Sequence, residues 1–268
     1  MSRKLVLTLA LGAVVALGMA TIGSAATTTI RAGNLILKFG STVSPAKLPK
    51  RSLAPIALNV NGTISTSDGT HPSAFREAIV DIDKNGTIDA GGVPVCKGGQ
   101  LEARNTAAAR NVCGKALVGN GSAHVSISFP EQKPIRVSSP LLLFNGGERG
   151  GKTTMFIHSF ITVPVPAAIV TTVTVTNISK GRYGYRTVAK VPVVAGGSGS
   201  ALDFKFTIGK KLFSSGGRKH SYLEARCADG RFQAQVLKAL FRNEAEIAGV
   251  PGQTVLKGGL VVPCKSRG

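Results

Sequence analysis

The chain has 268 residues, with 33 Lys and Arg against 13 Asp and Glu, a formal charge of +20, and no tryptophan. It is long enough to bury a large core as one large or two small domains, and no apolar run after the first twenty residues is long enough to span a bilayer as a helix. The charge favours acidic partners, namely anionic wall polymers, phospholipid heads or nucleic acid, over neutral ones; basicity with no ligand behind it is the competing reading.

Met1-Ser2-Arg3-Lys4 is a short cationic head, Leu5 to Met19 carries no charge, and within Ala20–Ala26 small residues meet the small-x-small demand of signal peptidase. This pattern predicts a secretory signal peptide over residues 1–26, cleaved near Ala25 or Ala26. The apolar run of about 15 residues is shorter than a membrane span; an uncleaved anchor is the alternative. Cleavage removes Arg3, Lys4 and no acid, so the expected mature charge is +18. No cysteine near the cleavage region suggests a lipid anchor, and Pro263–Gly268 carries no wall-sorting pattern. The expected location is outside the cytoplasm.

Residues 27–54 hold one strand-like piece, Leu35–Phe39, and then a Pro- and Lys-bearing stretch that reads as a tether. Residues 55–266 read as all-β, an antiparallel β-sandwich or open barrel, with a split into two subdomains near 130–140 as a variant. Abundant Val, Ile and Thr with 33 Gly and 13 Pro describe short strands joined by turns. Strands are expected near Ile56–Ile64, Ala123–Phe129, Thr171–Thr176, Leu202–Ile208 and Phe232–Leu237. In the fourth, Leu202, Phe204, Phe206 and Ile208 alternate with Asp203, Lys205 and Thr207 and should face a core. Asn105 followed by Thr106 and three alanines predicts a short helix near Thr106–Val112.

Four cysteines remain after export: Cys96, Cys113, Cys227 and Cys264. Of three possible pairings, the local one is the most economical: Cys96–Cys113 and Cys227–Cys264. The loops so closed would stabilise by about 3 and about 4 kcal/mol. The first bridge is expected to clip the helix onto a hairpin bearing Asp81–Asp89. No CxxC or HxxxH spacing points to zinc.

Gly146–Thr153 fits the G-x-x-x-x-G-K-[ST] phosphate loop. The β-branched, proline-broken sequence after it argues for a hairpin turn and against a nucleotide site. Asp81, Asp83, Asn85 and Asp89 stand at alternate positions suited to calcium, but Gly92 replaces the bidentate acid at position 12. A hairpin turning at Lys84-Asn85-Gly86 is the preferred reading, with calcium the alternative cofactor. Lys180-Gly181-Arg182-Tyr183-Gly184-Tyr185-Arg186 interleaves bases and aromatics. It makes Lys180, Arg182 and Arg186 candidate anion-binding residues on a solvated turn, whose charges should contribute little to stability. His71, His124, His158 and His220 lie far apart, and no nucleophile elbow is present.

The segments Leu53-Ala54-Pro55-Ile56, Asp68-Gly69-Thr70-His71-Pro72, Asp81-Ile82-Asp83-Lys84-Asn85-Gly86, Val93-Pro94-Val95-Cys96, Pro140–Gly146 and Ala225–Arg231 together resemble a family of secreted β-proteins of high-GC Gram-positive bacteria. The resemblance covers most of the mature chain and implies no activity. The expected function is a non-catalytic binding or structural protein of the cell surface, drawn to anionic wall polymers or to a membrane surface. A secreted hydrolase with a dispersed site and a calcium-binding module are the alternatives. Nucleotide is not an expected partner, and nucleic acid is a weaker one.

Overall fold

The computed structural model describes residues 24–129, 132–244, 246 and 252–267; the signal peptide read over residues 1–26 lies outside them except for its last three residues. Strands account for 64% of the chain. In chain order they are β1 (Ser24–Ala32), β2 (Leu35–Ser44), β3 (Lys47–Pro49), β4 (Ala54–Pro55), β5 (Ala57–Thr66), β6 (Ala74–Asp83) and β7 (Gly86–Ile88). An α-helix, α1 (Thr106–Cys113), follows, the only one among the described residues. Then come β8 (Leu117–Ile127), β9 (Ile135–Arg149), β10 (Lys152–Ile161), β11 (Ala167–Lys180), β12 (Tyr183–Lys190) and β13 (Gly199–Ile208). The last are β14 (Leu212–Ser215), β15 (Arg218–Ser221), β16 (Leu223–Ala225), β17 (Arg231–Arg242), β18 (Gln253–Pro263) and β19 (Lys265–Arg267).

Twelve strands form one antiparallel sheet in the order β1-β2-β5-β13-β8-β9-β10-β11-β12-β6-β17-β18. Its two edge strands, β1 and β18, come together, so the sheet is nearly a closed barrel. At this seam Ile30 sits where a side chain on Gly258 would have to go: a Cβ there would lie 2.3 Å from Ile30 Cγ2. The expected all-β class with one short helix therefore holds. The strand expected at Leu35–Phe39 is part of β2, whereas the stretch read as a tether supplies the end of β2, all of β3 and the first residue of β4. Strands from both sides of residues 130–140 interleave, with β13 between β5 and β8 and β6 between β12 and β17.

The interior is filled by pairing rings with glycines. Gly62 and Phe204 are direct partners across β5 and β13, and a Cβ on Gly62 would fall 2.5 Å from the Phe204 ring. Phe204 stacks in turn on Phe206, with centroids 6.3 Å apart. Phe204, Phe206 and Ile208 reach the main core as the alternation predicts, but Leu202 does not. The register slips between Ala201 and Asp203, so Ala201 packs inward and Leu202 occupies the bulge.

Leu141-Leu142-Leu143-Phe144 is buried at every position because β9 is covered on both faces. Leu141 and Leu143 belong to the barrel core, while Leu142 and Phe144 pack under α1 with Leu101 and Ala109. That double cover explains a continuous apolar run where a one-sided strand would alternate. Asn105 caps α1, its Oδ1 accepting from the Ala108 N–H at 2.9 Å.

Both disulfides form as the local pairing requires: Cys96–Cys113 and Cys227–Cys264. Free cysteines are absent from the described residues. Cys96–Cys113 does not clip α1 to an Asp81–Asp89 hairpin; it clips the helix to β9, whose Asn145 carbonyl accepts from the Cys96 N–H at 2.8 Å. The hairpin itself does not form. The chain reverses at Lys84–Asn85, but β7 leaves β6 and pairs with β16. The Asp83 carboxylate accepts from the Asn85 N–H at 2.9 Å, an Asx turn that diverts the chain. β6 is already paired on both sides, to β12 and β17. The small sheet β4-β16-β7 packs with Leu141, Met155 and Val173. It plugs the end of the barrel at which β6 finishes and β5 and β17 begin. Among the described residues no helix is long and apolar enough to cross a membrane, and the disulfides point to an oxidising, extracytoplasmic compartment.

Candidate functional site

The residues that suggested calcium and those that suggested an anion meet each other at the plugged end. Asp81, on β6, is 3% exposed and accepts from Arg186 in a two-pronged pair, Nε to Oδ1 at 2.7 Å and Nη2 to Oδ2 at 2.9 Å. Asp83 is 1% exposed. It accepts from Arg182 Nε at 2.6 Å and from the backbone N–H groups of Asn85 and Gln233, each at 2.9 Å. Arg182 reaches onward to the Asp229 carboxylate and donates from Nη2 to the Arg231 carbonyl at 2.6 Å. Asn85 turns its side-chain oxygen to Arg226 Nε at 3.1 Å. Asp89 stands apart, capping the Gly91 N–H at 3.2 Å.

The oxygens that the spacing offered to calcium are thus occupied by arginine and backbone donors. Among the described residues no group of three or more His, Cys, Asp or Glu is placed to hold a metal. The structure also corrects the reading of the three candidate anion binders. Lys180 is exposed, but Arg182 and Arg186 neutralise buried carboxylates and are parts of the fold rather than solvated turn charges. Hydrogen bonding to Asp229 first, then attraction to Asp83, holds the Arg182 guanidinium more firmly charged than usual. The same interaction keeps the Asp229 carboxyl below the ordinary carboxylate range.

Few acids remain for the other bases. Among the described residues the ion pairs engage only Arg76, Arg182, Arg186 and Lys238 of the lysines and arginines, together with His124 and His220. The remaining cations concentrate at the plugged end. Lys47, Lys50 and Arg51 lie on and after β3, Lys210 and Lys211 before β14, Arg218 and Lys219 on β15, and Lys265 and Arg267 on β19. In the sequence Lys210-Lys211 and Arg218-Lys219-His220 stand out as basic spots, each read as a solvated turn, while the others are scattered. The signal that could have found them is the pair of short basic runs, Lys47-Leu48-Pro49-Lys50-Arg51 and Lys265-Ser266-Arg267, the second fixed in place by Cys264.

The histidines do not assemble a reaction centre. His124 pairs with Asp203, Nδ1 to Oδ1 at 2.8 Å, on the open outer face of the sheet, with both side chains 40–50% exposed. His158 is buried beneath the helix layer, with Nε2 2.8 Å from the Arg104 carbonyl, and burial holds it below the ordinary histidine pKa. His71 lies at the opposite end of the barrel, with Nε2 3.3 Å from the Ser126 carbonyl. The Gly146–Thr153 motif is the β9–β10 hairpin, turning on Gly150 and Gly151 with φ of +59° and +72°. Beside it lies a polar cavity of about 100 Å³ lined by Glu148, Thr87, Thr153, Asn177 and Tyr185 among others. Glu148 is its one carboxylate, so it lacks the acid pair of glycoside chemistry. No family model, no curated protein and no solved structure matches the chain.

Proposed function

We propose that this is an exported, non-catalytic protein of the cell surface that holds anionic polymers against the plugged end of its barrel. The observation that carries this reading is the distribution of charge: three of the acids at that end, Asp81, Asp83 and Asp229, are consumed by Arg182 and Arg186, and the exposed lysines and arginines of β3, β15 and β19 stand in no ion pair among the described residues. A surface of one sign raises the local concentration of polyanions and steers their approach. Export rests on the signal-peptide pattern, whose cleavage near Ala25 or Ala26 would leave Thr27–Ala32 of β1 in the sheet, and on the two disulfides.

Sedimentation with purified anionic wall fragments, and with anionic vesicles as the membrane alternative, tests the reading. Exposed charges are screened beyond about 10 Å at 0.1 M salt and about 3 Å at 1 M. The fraction bound to wall fragments should therefore collapse between low salt and 1 M sodium chloride. Retention unaffected by salt, or no retention at any salt, would overturn the proposal. Retention on vesicles alone would move the partner from wall to membrane.

A further inference from the structure

Five of the uncompensated cations, Lys47, Lys50, Arg51, Lys265 and Arg267, share a definite architecture. β19 pairs with β3 in parallel, placing Lys265 opposite Lys47, Ser266 opposite Leu48 and Arg267 opposite Pro49. Ladder partners are about 4.8 Å apart, and residues two apart on a strand about 6.6 Å. Lys47, Lys265 and Arg267 therefore form a small grid of cations, extended by Lys50 and Arg51 immediately after β3. Like charges side by side in a ladder oppose pairing, and among the described residues none of these five side chains is in an ion pair.

Something else must hold the ribbon, and the structure shows what. Leu48 is buried beneath it at 1% exposure. Cys264, the residue before β19, is bonded to Cys227. The Cys227 N–H donates to the Pro49 carbonyl at 2.9 Å, and the Lys265 N–H to the Ala46 carbonyl at 2.8 Å. Ser266 Oγ donates to the Cys227 carbonyl at 2.7 Å. A covalent bond, a buried leucine and three hydrogen bonds thus keep mutually repelling cations in register.

We propose that this disulfide-pinned ribbon is the docking site for a linear, phosphate-bearing polyanion. The inference rests on the function proposed above and names the site and the ligand's chemistry. Arginine forks and lysine point charges are the side chains that recognise phosphate. The ribbon is open, with its cations on an exposed face, so it suits a chain laid across it rather than a small anion enclosed in a pocket. The backbone is already ordered, so binding does not have to order it, which is the advantage of preorganisation.

Fluorescence anisotropy with end-labelled long-chain inorganic polyphosphate tests this on the disulfide-intact protein between 50 and 500 mM sodium chloride. The logarithm of affinity should fall linearly with that of salt. The triple variant Lys47→Gln/Lys265→Gln/Arg267→Gln should bind at least tenfold more weakly at 0.1 M. Its salt slope should be flatter by about 2, since each phosphate that is no longer neutralised lowers the slope by about 0.7. The control Arg31→Gln/Lys38→Gln/Lys205→Gln removes the same charge from exposed positions on the outer sheet face and should weaken binding less than threefold. All six side chains are exposed, so thermal melts should match wild type; Lys265→Gln/Arg267→Gln, which leaves β3 untouched, should show an intermediate slope should the triple variant melt early. Equal weakening by both triples would overturn the ribbon while leaving a basic polyanion binder intact. No binding of wild type at 50 mM would remove the underlying reading as well. Poly-glutamate bound as tightly as polyphosphate would overturn the assignment to phosphate.

Discussion

Replacing Asp83 by alanine is expected to destabilise the protein by about 3–5 kcal/mol, the range for breaking a buried ion pair by removing one partner. The carboxylate is 1% exposed and satisfies Arg182 and the N–H groups of Asn85 and Gln233 together. Its loss strands two backbone donors and unties three segments of chain: the end of β6, the turn after it and the start of β17. Arg182→Ala should cost less, because Asp83 keeps both N–H donors and the arginine side chain is 22% exposed. Asp229→Ala should cost at most about 1 kcal/mol, as for other exposed pairs; its side chain is 43% exposed. Urea unfolding with an unchanged m-value measures all three. The order Asp83, then Arg182, then Asp229 is the prediction, and an Asp83→Ala loss below about 1 kcal/mol would refute the account of this network. Domains of ordinary stability have only about 5–15 kcal/mol to lose, so the variant will unfold readily on warming.

Removing Cys227–Cys264 by a double serine substitution is expected to cost about 4 kcal/mol, and removing Cys96–Cys113 about 3, because the first bridge closes the longer loop. The sequence separations are 37 and 17. A second consequence distinguishes them. Cys227–Cys264 pins β19 to β3, so its loss should also release Lys265 and Arg267 from their register, whereas loss of Cys96–Cys113 loosens α1 from β9. Guanidinium melts of the two double variants measure the stabilities. A smaller loss for Cys227→Ser/Cys264→Ser than for Cys96→Ser/Cys113→Ser would contradict the assignment of the longer bridge as the stronger constraint.

Much of the fold could be read where a strand has one buried face. Phe204, Phe206 and Ile208 alternate as their burial demands, and Asn105 announces α1 through its capping oxygen. The reading failed where a non-local partner outweighed a local signal. Asn85-Gly86 is a strong turn signal, and the chain does turn there. Nothing local shows that β6 will be paired on both sides, or that β7 will find β16 more than 130 residues later. Leu202 fits the alternation, but a bulge against β8 removes it from the core.

The site was less legible for the same reason. Asp81 and Asp83 looked like cation ligands, and Arg182 and Arg186 like anion ligands, because each set was read without the other. About a hundred residues separate them in sequence, and adjacent strands bring them together to neutralise one another. Conversely, Lys47 and Lys265 looked like scattered background, since their adjacency exists only in the parallel pairing of β3 with β19. Motif spacing reports on neighbours along the chain, whereas an electrostatic surface depends on neighbours across the sheet.

The most direct test of the central claim, that polyanions are held at the plugged end, is a lysine-labelling footprint. The protein is treated with an amine-reactive reagent with and without a saturating phosphate polymer, and modification is quantified by mass spectrometry at each lysine. Protection is expected at Lys47, Lys50 and Lys265, with Lys38, Lys133 and Lys190, which lie on the outer sheet face or towards the opposite end of the barrel, labelled as in the free protein. Uniform protection of all lysines, or protection centred on the opposite end, would contradict it.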